Sequence, residues 1–405
     1  MEQMLPLEGL KVLELTRVIV GPGIGRFLGT GGATVVHVES QKRLDFNRTS
    51  FPYKDNISGI NRAGYFQRYN PDKLGMGLDL SKPQGVALMK KLVTWADVFI
   101  ESNVPGMLTK FSLDYEHVRT LNPGIVMLST SQMGQKGPLA RYKGFGVQTA
   151  AMAGFHQITG YGDGIPIGPF GAYTDMVSIH WLLAILIAAL DYKRKTGKGQ
   201  YIDHSQLEAG IHFLSPAVIN VSANNRLTPQ SGNRDATAAP HGCFRCLGKD
   251  KWCAIAVYSD EDWHALCKAF DNPAWTREKK FATLVQRKEN EDELNRLVEA
   301  WTQQHTAEEV MSILQSAGVA AGIVSSGENL NNNPQLIARK HYKLLNHTEI
   351  GPVPYSNPPF KFSETPVEVR QAAPCFGEHT EYVCREILKI SDEEFIDLLQ
   401  AGVFE

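Results

Sequence analysis

The chain has 405 residues, 43% of them hydrophobic, with 36 glycines, more than a single core usually organises, so two domains are expected. Its 41 basic and 43 acidic residues leave a formal charge of −2, and no global field recruits nucleic acid or an anionic membrane. The longest apolar run, Trp181 to Leu190, falls short of the roughly 20 residues that span a bilayer and reads as a buried helix. The opening "MEQMLPLEGLKVLEL" carries no charged-then-apolar signal segment, so a cytoplasmic protein with no membrane partner is expected.

In chain order, an apolar strand from Val12 to Leu15 runs into a glycine-rich turn, a helix follows, and a second strand from Thr34 to Val38 ends on Glu39. A dinucleotide fingerprint needs G-x-G-x-x-G directly after the strand. Here Gly21 and Gly23 are followed by Gly25, Arg26 stands where the third glycine belongs, and Thr16 to Val20 separate strand from glycines. NAD is therefore set aside, and what remains is a βαβ unit with a crevice at the strand C-termini. "YNPDKLGMGLDLSKPQG" then offers a short strand and a helix opened by Ser81 and Pro83 in cap and first-turn positions. A strand from Val98 to Ile100 and another in "LNPGIVMLSTSQMG" complete a mostly parallel, Rossmann-like α/β sheet.

Just before the apolar run, a glycine- and proline-rich loop arrives at Thr174 and Asp175. Asp175 has two readings: an N-cap satisfying first-turn amides, or a carboxylate held ionised by the helix's positive end and presented to a cleft as a nucleophile. From about residue 220, "VSANNRLTPQSGNRDATAAPHG" reads as a long linker. Beyond it "GCFRCL" and "WCAIAV" form a hairpin around "GKDK", followed by helices in "SDEDWHALCKAF" and "TAEEVMSILQSAG", a smaller α+β domain. Cys243 and Cys246, near His241 and Cys253, suggest zinc, but strand positions three apart point to opposite faces and no second C-x-x-C follows. No metal site is expected. The closing "DEEFIDLLQAG" is amphipathic and ends at Gly402.

The blocks "PLEGLKVLELTRVIVGP", "GATVVHVE", "YNPDKLGMGLDLSKPQG", "DVFIESNVPGMLTKFSLDYEHVRTLNPGIV", "GAYTDM", "LDYKRKTGKGQYID" and "FGEHTEYVCREI" span nearly the whole chain. In order and spacing they resemble the class III CoA-transferases. The resemblance implies a large Rossmann-like domain from residues 1–220 and 331–405, a small α+β domain within 221–330, and an interlocked dimer. It places the family's catalytic aspartate on Asp175. It also implies that Arg17, Ile19 and Val20 line the cleft with Phe145, and that Leu78 to Ser81 and Ser102, Asn103 and Val104 wrap the CoA nucleotide. Lys110 and Lys143 become phosphate partners, while Lys73 is open between a solvated surface charge and a phosphate contact. Ser40 replaces a basic residue found in relatives, which removes one phosphate contact, and Gly146 implies a roomier acyl pocket.

CoA esters are then substrates, with no tightly bound cofactor. Within the family the wording is most similar to subunits of succinyl-CoA:benzylsuccinate CoA-transferases, implying succinyl-CoA as donor, an aromatic dicarboxylate as acceptor, and a homodimer or a heteromer with a homologous subunit. Two alternatives stand beside this. A 2-methylacyl-CoA racemase of the same fold needs a histidine in "RYKGFGVQTA", where the nearest is His156; a non-catalytic supporting subunit has no need of Asp175.

Overall fold

The computed structural model describes residues 4–162 and 164–405. The chain divides into two compact units, one of Met1–Phe155, Gly168–Arg226 and Gln335–Glu405, the other of His156–Ile167 and Leu227–Pro334.

The first unit is built on a six-stranded sheet of β1 (Lys11–Leu15), β2 (Thr34–Glu39), β3 (Leu74–Gly77), β4 (Val98–Glu101), β5 (Val126–Ser131) and β6 (Gln200–Ser205). Their order is β3-β2-β1-β4-β5-β6 and every pairing is parallel. Strands covered on both faces are apolar at successive positions, as parallel sheets require. Leu13, Val36, Phe99 and Met127 point into one buried cluster, and their neighbours Val12, Val35, Val98 and Val126 into the other. The second cluster also holds Ile24 and Leu28 of helix α1 (Val20–Thr30) and Ile179, Leu182 and Leu186 of the Tyr173–Thr196 helix.

Several expectations are corrected. Pro83 does open the Pro83–Trp95 helix, but Lys82 is its N-cap, and Ser81 sits one residue outside with its N–H on Asp79 Oδ1 at 2.9 Å. The apolar run is not a wholly buried helix. It belongs to a 24-residue helix long and apolar enough to cross a membrane by length and composition, with Leu182, Leu186 and Ala189 buried and Trp181, Ile185 and Ile187 41–44% exposed. The polar stretch expected as linker begins inside the Ser215–Asn224 helix. The sixth strand and a C-terminal hairpin, β10 (Tyr342–His347) against β11 (Gly351–Ser356), were not anticipated.

In the second unit β7 (His241–Arg245), β8 (Trp252–Ala256) and β9 (Ala320–Ile323) form an antiparallel sheet. Helices Asp260–Ala269 and Ala307–Ser316 start in capping boxes, Ser259 with Asp262 and Thr306 with Glu309, which satisfy first-turn amides reciprocally. Cys243 is exposed and Cys246 buried, as the strand alternation implies.

Beneath the β1–β2–β3 edge of the large sheet lies a buried charge network. Glu14 meets Lys73 Nζ at 2.9 Å and His37 Nδ1 at 3.2 Å, and Lys73 also donates to Pro22 O and Asn70 Oδ1, each at 2.9 Å. Glu39 takes Arg48 Nη2 at 2.7 Å and Nε at 3.0 Å. Burial opposes the charge on Glu14, but Lys73 and His37 outweigh it and hold the carboxyl down at about 2. His37 is opposed by burial too, yet Glu14 and Glu39 raise it to about 9. Gly25 is required here, because a β-carbon on it would come within 1.9 Å of Glu14 Oε2. The glycine that looked like part of a phosphate loop makes room for a carboxylate. Lys73 is therefore neither a surface charge nor a phosphate ligand.

Lys73→Met leaves Glu14 short of its main counter-charge and should cost about 3–5 kcal/mol, read as a lower urea midpoint. Adding Glu14→Gln should return part of that loss; a double variant weaker than the single one would contradict the pairing.

Candidate active site

The β-strand order reverses direction between β1 and β4, and in such sheets ligands bind beyond the strand C-termini at that point. A cavity of about 300 Å³ opens there. Its walls are the segment Arg17 to Val20 after β1, Ser102 to Pro105 after β4, Thr130 to Met133 at the end of β5, and Ala140 with Tyr142 to Gly146, with Asp175 and Gln206 completing it. A second cavity of about 300 Å³ shares Arg17 and Asn103 with the first and runs over Glu39, Ser40, Lys42, Arg43 and Leu78 to Ser81.

Asp175 is 6% exposed. It is not the N-cap: Ala172 holds that place without a side-chain cap, and Asp175 is the third residue of the helix. Its neighbour Thr174 donates to Gly146 O at 3.1 Å, which ties the first turn to the Phe145–Gly146 segment. A β-carbon on Gly146 would lie 2.7 Å from Ala172 Cβ and 2.8 Å from Asp175 Cγ. The absent side chain thus lets Asp175 occupy its place, a stricter role than enlarging the pocket. The expectation of a carboxylate held ionised by the helix end is also corrected. Burial raises Asp175 to about 7, with a Gln206 side-chain hydrogen bond pulling the other way, and Asp175 makes no ion pair among the described residues. Desolvation outweighs the dipole.

The structure brings Arg17, Ile19, Val20, Ser102, Asn103, Val104, Lys143, Phe145 and Asp175 onto one cavity, and Leu78 and Ser81 onto the adjoining one. Lys110 lines neither; it is exposed on the 3₁₀ turn Leu108–Phe111, whose Phe111 does reach the second cavity. Sequence reasoning missed Lys42 and Arg43. Lys42 is paired with Asp79 at 2.7 Å, whereas Arg17 and Arg43 make no ion pair among the described residues. Arg17 loses some proton affinity to burial and then to the nearby Arg43, with Asp45 pulling the other way. The signal was in "ESQKR", where two cations follow Ser40 within three positions. Gln206 and Ser131 were missed because neither stands in a recognisable motif.

This cavity belongs to a known class of fold. The family model described as CoA-transferase family III matches residues 7–380, so the chain belongs to that family and is a CoA-transferase. It is similar to a human protein named succinyl-CoA:glutarate CoA-transferase, 28% identical over 100% of this chain and 91% of that one. A succinate–glutarate CoA-transferase of Agrobacterium fabrum is 30% identical, with 94% and 96% covered. Among solved structures, a CAIB/BAIF family protein from Brucella suis superposes with a TM-score of 0.87 at 28% identity, covering 95% of this chain and 100% of that one.

Because folding raises the Asp175 carboxyl to about 7 from an ordinary 3.8, the folded state holds a proton that the unfolded state releases between those values. Stability from this group falls as pH rises through that window, by on the order of 4 kcal/mol once pH exceeds the upper value. Asp175→Asn should therefore melt above the wild type at pH 8, with the gap closing toward pH 4. Equal melting temperatures at pH 8 would mean the carboxylate is better solvated than its burial implies.

Proposed function

We propose that this chain moves CoA from succinyl-CoA to a second dicarboxylic acid through covalent intermediates on Asp175. The observation that carries the reading is a carboxylate buried in a cavity wall with no cation paired to it among the described residues. A desolvated, unpaired carboxylate is a stronger nucleophile than a solvated one. Asp175 attacks the thioester carbonyl of the donor, forming a mixed anhydride and releasing CoA thiolate. The thiolate then attacks the aspartyl carbonyl of the anhydride, which expels the donor carboxylate and leaves an aspartyl-CoA thioester. An acceptor carboxylate attacks that thioester carbonyl, and the returning thiolate takes the acceptor's acyl carbon and frees Asp175. No proton is consumed and no resident cofactor is needed. A Gln206 side-chain hydrogen bond favours the ionised form of Asp175, the form that attacks.

Succinyl-CoA as donor is supported by the names of the human and Agrobacterium fabrum relatives. An aromatic acceptor such as benzylsuccinate is supported by the Phe145 ring on the cavity wall, with Phe46 5.8 Å from it, a surface an aryl group can stack on. The CoA phosphates fall to Arg17, Arg43 and Lys143. A dimer, interlocked or with a homologous subunit, is supported by the exposed apolar face of Trp181, Ile185, Ile187 and Phe213. No histidine lines the Asp175 cavity among the described residues, which speaks against racemisation.

Two expectations follow. With succinyl-CoA and a panel from glutarate to benzylsuccinate, the new CoA ester should appear in step with free succinate. Asp175→Ala should abolish transfer while acyl-CoA still binds, and hydroxylamine should trap the wild-type intermediate at Asp175. A fully active alanine variant would falsify the nucleophile, and α-deuteration of a 2-methylacyl-CoA in heavy water without acceptor would restore the racemase. Separately, Arg43→Ala or Lys143→Ala should each weaken acyl-CoA binding by about 1–3 kcal/mol, less at high salt. Lys110→Ala should change it little; the reverse ranking would relocate the phosphates.

A further inference from the structure

One residue in the Asp175 cavity wall holds a backbone conformation its side chain opposes. Val18 has φ +73°, a region where a β-branched residue is a genuine outlier, and such strain persists only where surroundings impose it. The source is visible. Val18 N–H donates to both oxygens of Asp45, at 3.0 and 3.2 Å, and Val18 C=O accepts from Asn47 Nδ2. Both polar groups of this one residue are captured by the side chains that begin the 3₁₀ turn Phe46–Thr49. Asp45 is fully buried and Asn47 nearly so.

The turn is itself anchored. Asp45 Oδ1 also accepts from Asn47 N–H at 2.9 Å, Asp45 N–H reaches Glu39 Oε1 at 3.3 Å, and Glu39 is gripped by Arg48 of the same turn. Glu39 closes β2, so the grip on Val18 is referred back to the sheet. On the other side Arg17 N–H is fixed to Ser102 Oγ at 3.1 Å. The consequence is local. Arg17, Val18, Ile19 and Val20 all border the cavity that Asp175 faces, which a regular extended segment, alternating its side chains, does not achieve. Ile19 is also the N-cap of α1, so the bend sets where that helix begins.

We propose that Asp45 and Asn47 are positioning residues for the transfer reaction, clamping Val18 in its left-handed conformation so that the Arg17–Val20 segment seats the thioester against Asp175. This rests on the CoA-transferase reading of the cavity. Neither side chain touches the reacting atoms; both act through the backbone of Val18.

The test is a double-mutant cycle on the full-length protein, with kcat and KM measured per folded site using succinyl-CoA and the best acceptor of the panel. Asp45→Ala should lower kcat at least tenfold with KM for the acyl-CoA changed less than threefold, because Arg17 stays fixed to Ser102 and Arg43 and Lys143 lie outside the clamped segment, while the reacting atoms lose alignment. Asp45→Asn keeps an acceptor for Val18 N–H and should restore most of kcat. In a Val18→Gly background the penalty for a positive φ disappears, so the kcat loss from Asp45→Ala should shrink at least threefold. Asn47→Ala runs the same cycle from the carbonyl side and serves if Asp45→Ala does not fold. A loss confined to folded yield, with kcat unchanged, overturns the clamp, as does an equal kcat loss in the valine and glycine backgrounds. Wild-type protein that transfers CoA to no acid overturns the cavity's assignment and the clamp's role with it, whereas an active wild type with an equally active Asp45→Ala overturns the clamp alone.

Discussion

The cost of taking a carboxylate out of water with no cation paired to it among the described residues organises the active side of the large unit. Asp175 is raised to about 7 by burial, so a chain that spends stability there must hold it in place by other means. The helix end does this with neutral groups: Thr174 on the Gly146 carbonyl, Gly146 without a side chain, and Gln206 from the first position of the helix after β6. Each fixes the carboxylate without neutralising it. A lysine or arginine in the same position would have stabilised the fold and blunted the nucleophile.

The other buried charges of the sheet obey the opposite rule. Glu14, His37, Lys73, Glu39 and Arg48 are sealed from solvent and every carboxylate among them faces at least one cation. Such networks contribute little net stability but penalise rearrangement heavily, since any shift strands a charge. That rigidity is useful here because Glu39 carries the turn that grips Val18, and Glu14 lies three residues before the cavity segment, bonded to Thr16.

Much of this was legible in the sequence, for definable reasons. Strands buried on both faces are continuous apolar runs, so β1, β2, β4 and β5 could be placed, and motif order placed Asp175, Arg17, Ser102 and Lys143. β10 and β11 were missed because "YKLLNHTEIGPVPYS" alternates weakly and carries two prolines. Lys73 was misread because a lone lysine in "NPDKLG" reads as exposed unless its counter-charge, 59 positions away at Glu14, is known. Lys110 and Arg43 show the limit of analogy: the expected lysine is exposed and lines neither cavity, while Arg43, outside every quoted block, lines the second. The Val18 clamp had no signature, since valine is the last residue one would assign to a positive φ.

Cavity size alone points elsewhere. A larger opening in this unit, about 740 Å³, is lined in part by Asp72, Lys73, Arg370, Glu378 and His379, a polar set that invites a functional reading. Its strongest charges are already committed. Lys73 is paired with Glu14, Arg370 donates to the carbonyls of Gly29 and Thr30 at 2.8 and 3.0 Å, and Asp72 accepts from Thr30 Oγ1 at 2.7 Å and from the N–H groups of Arg370 and Gln371 at 2.8 Å. The smaller cavity carries the features that folding alone would remove: a buried carboxylate, Asp175, and a guanidinium, Arg17, neither with an ion pair among the described residues, and a valine held against its backbone preference. Stability is given up at several points and all of them border one space, so chemistry is located by where the fold is least satisfied. That argument needs no relative, and it selects the same aspartate that the family resemblance does.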